Sequence, residues 1–185
     1  MTIIAAVIDR ENHRAWMGCD TRSTSDGQVF DVSTKITRVG CALIGTCGNP
    51  AGARYLRWMA RGEPAPGKGD DHASVAEWVD RLASRWPAWA REQHLADKDD
   101  GHVPWWALVA TPWGIWHLGA WGEVSEHAGT YAAIGAGQLA ALGVLWYLSS
   151  TSDQAEHLRV AISAAIAHAD GCGGRVVIEM VEAPE

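Results

Sequence analysis

Two apolar runs joined by a short polar link open the chain and restrict its fold more than any other feature. They are Thr2-Ile3-Ile4-Ala5-Ala6-Val7-Ile8 and Arg14-Ala15-Trp16-Met17-Gly18-Cys19-Asp20, with Asp9 to His13 between them. Both read as strands and the link as a hairpin connection, so the second strand runs back beside Thr2. Shorter strand candidates follow at Lys35 to Val39 and Cys41 to Thr46, and the four are expected to share one sheet.

The hairpin matters because Thr2 directly follows the initiator methionine. A threonine at a processed terminus carries both a nucleophilic hydroxyl and a free α-amine to accept its proton. This use requires removal of Met1, which the small second residue favours. Asp20 ends the returning strand and Lys35 lies in Ser33-Thr34-Lys35-Ile36. A nearby lysine lowers the α-amine pKa from its ordinary ~7.7–8.0, and a carboxylate orients that lysine and balances its charge. Taken singly, Thr2 is an edge-strand residue, Asp20 a turn carboxylate, Lys35 a surface charge and Gly48 a turn glycine.

Together, Thr2-Ile3-Ile4-Ala5, Gly18-Cys19-Asp20-Thr21-Arg22-Ser23-Thr24, Lys35-Ile36 and Ile44-Gly45-Thr46-Cys47-Gly48 resemble, in order and spacing, the proteasome β-type peptidases, most of all the HslV type. Tyr131 to Gly137 and Ala169-Asp170-Gly171-Cys172 extend the resemblance over nearly the whole chain. It implies an N-terminal nucleophile hydrolase fold, a four-layer αββα sandwich of two antiparallel sheets flanked by helices. It makes Thr2 the nucleophile, Asp20 and Lys35 its charge partners, Gly48 N–H the oxyanion donor and Asp170 a carboxylate near the threonine. It further implies a monovalent cation such as Na+ on the backbone carbonyls of Ala169, Cys172 and Arg175, a homo-oligomeric ring enclosing the active sites, unfolded protein or peptide substrates, and an AAA+ ATPase unfoldase as partner. Ala136 departs from the family, which usually carries a serine there that helps to organise the terminal amine. That departure keeps two alternatives in view, a non-catalytic ring or scaffold and an amidohydrolase for small substrates.

Composition restricts the rest. With 185 residues, 48% of them hydrophobic, the chain reads as one domain over 1–185. A net charge of −7 without a basic tract argues against a nucleic-acid partner. No apolar run approaches the ~20 residues that span a bilayer and no signal core opens the chain, so no membrane role and a cytoplasmic location are expected. Four cysteines lack CxxC spacing and are expected to be reduced and buried, while eight histidines form no zinc motif.

Helices are expected at Pro50 to about Met59, at His72 to about Trp86 with a break or kink at Pro87, at Gln138 to Leu148 and at Asp153 to Ala169, the last capped by Asp153 or Ser152. Asp97 to Gly101 reads as a solvated loop. A hairpin around Pro112-Trp113-Gly114, a strand ending at Ile134 and a last strand at Val176 to Val181 are expected to supply a second sheet. Gln138 to Leu148 is apolar nearly all round, which predicts burial on more than one side. The eleven tryptophans divide between core and subunit contacts, with core favoured. Gly135-Ala136-Gly137-Gln138-Leu139-Ala140 also fits a dinucleotide fingerprint, but Glu156, about twenty positions on, falls in a helical pattern instead of ending a parallel strand.

Overall fold

The computed structural model describes residues 2–25, 28–93, 104–148 and 153–184. Met1, the Asp97 to Gly101 loop and Ser152 lie outside the described residues. The opening hairpin forms as read, with β1 at Ile3–Asp9 and β2 at Arg14–Asp20, antiparallel with Ile4 opposite Cys19. Asp9 closes the turn, its Oδ1 accepting from the amides of Glu11 and Asn12 at 3.1 and 3.0 Å.

A small hairpin of β3 (Arg22–Ser25) and β4 (Gln28–Asp31) comes next, then β5 (Ile36–Val39) and β6 (Ala42–Gly48). Helices α1 (Pro50–Gly62), α2 (His72–Ser84) and α3 (Trp86–Glu92) follow, and Pro87 sits in the first turn of α3, where its missing N–H has no helical acceptor to lose. After these come β7 (Trp105–Thr111), β8 (Gly114–Leu118), β9 (Val124–Glu126), β10 (Tyr131–Gly135), α4 (Gln138–Leu148), α5 (Gln154–His168) and β11 (Val176–Glu182). Asp153 caps α5 by accepting from the Glu156 amide at 3.0 Å.

The strands divide otherwise than expected. One sheet has the order β10-β1-β2-β11 and the other β5-β6-β7-β8-β9. Because β10 pairs with the outer side of β1 and β11 with that of β2, no edge of the opening hairpin remains for β5. The chain instead leaves β2, makes the β3–β4 hairpin and enters the other layer at Lys35.

Alternation along β1 builds the layers. Ile3, Ala5 and Val7 pack with Leu158, Ile162 and Ala165 of α5. Ile4, Ala6 and Ile8 pack between the sheets with Met17, Leu43 and Leu108. The far face of the second sheet meets the helices α1 to α3 through Tyr55, Trp78, Trp86, Trp89 and Trp105. Ring centroids of Trp86 stand 5.2 Å from Tyr55 and 4.6 Å from Trp105. This accounts for the tryptophan-rich middle of the chain, which fills the outer helical layer. The product is the αββα sandwich. On α4 the expectation of all-round burial fails within the single chain: Ala141 and Leu145 face inward, but Leu139 is 79% and Tyr147 77% exposed.

Candidate active site

Thr2, Asp20 and Lys35 converge where the two sheets part. The hairpin register brings Asp20, the last residue of β2, beside the start of β1, and its Oδ1 accepts from the Ile3 amide at 3.0 Å. Thr2 Oγ1 donates to the same oxygen at 2.7 Å. Lys35, at the entry to β5 in the opposite sheet, reaches across the layers. Its Nζ donates to Thr2 Oγ1, to Asp20 Oδ1 at 2.6 Å and to the Arg22 carbonyl.

The cluster is nearly dry. Asp20 is 0% and Thr2 6% exposed, and the Lys35 side chain 10%. A buried carboxylate is costly unless its lone pairs are met. The Gly173 amide meets the other oxygen, donating to Asp20 Oδ2 at 2.9 Å. A hydroxyl oxygen that accepts from an ammonium is poised to carry negative charge when its proton leaves. Neighbouring thiols do not compete as nucleophiles: burial pushes Cys47 up to about 11, and it also raises Cys19 and Cys172.

Thr2, Lys35 and Gly48 line one cavity of about 1130 Å³, together with Thr46, Arg57 and Trp106. Gly48 ends β6 at φ +87°, and a Cβ there would stand 2.6 Å from the Pro104 carbonyl oxygen, so both backbone conformation and space require glycine. Gly135, at φ +97°, allows β10 to lie against Thr2, where a Cβ would come within 2.3 Å of the Thr2 carbonyl oxygen. Ala136 also lines the cavity and presents a methyl group. The dinucleotide reading fails on topology: every neighbouring pair in the order β10-β1-β2-β11 is antiparallel, so β11, the strand that follows β10 and the two helices, runs opposite to β10, whereas the fingerprint needs a parallel β-α-β unit.

Asp170 is exposed in the turn after α5 and is not among the residues that line the cavity. The carbonyls read as cation ligands are engaged by the protein itself. Ala169 O accepts from the Cys172 amide at 3.2 Å and Arg175 O from the Thr21 amide at 3.0 Å. Cys172 O accepts from Arg22 Nη1 at 3.4 Å. The Arg22 guanidinium thus already brings positive charge to this loop. Sequence reading missed the Gly173 amide and the Arg22 carbonyl. The Gly171-Cys172-Gly173-Gly174 cluster was the available signal, since a glycine-rich loop before a strand allows a backbone amide to approach a carboxylate closely.

No protein-family model matches the chain, and no curated protein matches it. Solved structures do. The BPH protein of Thiobacillus denitrificans aligns with a TM-score of 0.74 alone and 0.75 in complex with epoxomicin, at 23% identity over 98% of each chain. HslV from Trypanosoma brucei, a eukaryotic form, aligns with a TM-score of 0.71 at 19% identity over 98% of this chain and 99% of that one. The resemblance read from sequence thus holds at the level of architecture: this chain has the HslV-type fold, two antiparallel sheets between helical layers.

Proposed function

We propose that this chain is an N-terminal threonine peptidase. With Met1 removed, the α-amine of Thr2 accepts the proton of Oγ1 while that oxygen attacks a peptide carbonyl. The Gly48 N–H stabilises the oxyanion, the protonated α-amine returns its proton to the leaving amine, and water then hydrolyses the ester on Thr2. Lys35 and Asp20 hold Oγ1 and favour the charge that develops on it. The observation that carries this reading is Thr2 Oγ1 bonded to both Asp20 and Lys35 at the wall of a large cavity. The fold shared with HslV supports the further reading that the chain is a subunit of a self-compartmentalising homo-oligomeric ring, acting on unfolded protein or peptides fed by an AAA+ ATPase.

The Thiobacillus denitrificans protein was solved with epoxomicin, which makes this compound the probe of choice. Intact mass of the purified protein should lack methionine and should rise by one epoxomicin on treatment, and Thr2→Ala should abolish the adduct together with peptide hydrolysis. A mass that retains Met1, with no adduct, would overturn the peptidase in favour of a non-catalytic ring protein, a reading that Ala136 favours. Cleavage of small amides but not of unfolded protein would indicate an amidohydrolase.

A further inference from the structure

The cavity beside Thr2 carries a positive charge for which the proposed chemistry has no use. The chain has 22 Asp and Glu against 15 Lys and Arg, yet none of the described residues lining the cavity is Asp or Glu. Two of them, Lys35 and Arg57, are cationic. An ammonium has three donors, and those of Lys35 go to Thr2, Asp20 and Arg22. Arg57 is placed differently. It lies on α1, its Nε donates to the Ala53 carbonyl at 3.1 Å, and it makes no ion pair among the described residues. Its neighbour Arg54, by contrast, lies over the Trp89 ring at 5.4 Å.

No other described wall group balances Arg57. Burial lowers the pKa of His117 below its ordinary value, which favours the neutral ring, and Cys47 stays a thiol. The remaining polar lining near α1, Thr46 and Asn49, consists of uncharged groups. A guanidinium stays charged at every working pH and offers a planar fork that matches a carboxylate. The same wall repels a lysine or arginine side chain, so discrimination is built from attraction and repulsion together.

We propose that the site selects peptides with glutamate or aspartate on the acyl side of the scissile bond, and that Arg57 is the residue that sets this preference. The inference rests on Thr2 being the nucleophile, and it adds the substrate class. Arg57 is exposed on the surface of α1, so its removal leaves the core intact.

The test is a peptide series that differs only in the residue giving the scissile carbonyl, Glu, Gln, Leu or Lys. The series is assayed as kcat/KM on the native chain, Arg57→Gln and Arg57→Glu, with Thr2→Ala as the blank. The native chain should favour Glu over Gln by about tenfold at low ionic strength, a ratio that contracts in about 1 M salt. Arg57→Gln should bring that ratio to about one, and Arg57→Glu should turn the preference to Lys. Equal cleavage of Glu and Gln peptides by the native chain, or a Glu preference that survives in Arg57→Gln, overturns the inference and leaves the peptidase standing. Absence of Thr2-dependent cleavage across the whole series removes both.

Discussion

All three protons of the Lys35 ammonium are used, on Thr2 Oγ1, Asp20 Oδ1 and the Arg22 carbonyl, so its replacement has two separable consequences. Lys35→Met leaves the Asp20 carboxylate buried without its counter-ion and should cost about 3–5 kcal/mol in urea unfolding. Epoxomicin labelling of the folded protein should slow by at least about a hundredfold. Adding Asp20→Asn removes the uncompensated charge and should restore part of the stability but none of the labelling rate. Full recovery of labelling in the double variant would show that the pair only supports the fold. Thr2, Asp20 and Lys35 were legible as a set because a hairpin of readable register brings the first two together, whereas each alone is an ordinary strand, turn or surface residue. The Gly173 amide was marked in the sequence only by the glycine-rich loop that holds it, since a backbone donor has no side chain of its own, and the Arg22 carbonyl that accepts from Lys35 was not marked at all.

The elements that carry the outer helical layer use their tryptophans in two ways. Trp86 Nε1 donates to the Ala120 carbonyl at 2.8 Å, while Trp105 Nε1 is buried without an acceptor among the described residues. Trp86→Phe should therefore destabilise by about 1–3 kcal/mol more than Trp105→Phe, measured by urea unfolding of the two variants side by side. On β8, His117 has its pKa lowered from 6.5, first by burial and then by the charge of His127, with Glu123 opposing; burial also lowers His127. A folded-state pKa below the unfolded value means that the unfolded chain binds protons first as pH falls. Stability is thus complete above about pH 6.5 and declines as pH drops from there through the lowered folded values. His117→Gln should flatten this decline between pH 7 and 5 in thermal melts, and an unchanged slope would contradict it. The period and caps of α5 and the break at Pro87 were readable locally. The partition of strands between sheets was not, because it depends on which strand occupies each edge of the opening hairpin, and β10 and β11 lie more than a hundred residues downstream in the sequence.

At the scale of the whole molecule, the exposed side of α4 is the feature that a single chain leaves unexplained. Leu139 and Tyr147 place large apolar groups in water on a helix whose composition called for burial on several sides. Contacts between copies in the proposed ring would bury them. Leu139→Glu with Tyr147→Asp should lower the mass seen by light scattering to smaller assemblies while the circular dichroism of the fold is retained; an unchanged mass would place the ring contacts elsewhere. The bond from Gly173 to Asp20 has a consequence for biosynthesis. Asp20 is made early, but the amide that meets its second oxygen lies 153 residues further on, and the strand β11 that pairs along β2 follows it. Until those residues are made, the second oxygen of Asp20 lacks its backbone donor and β2 lacks one of its two neighbours, so the surroundings of Thr2 are completed only after the intervening chain has been synthesised.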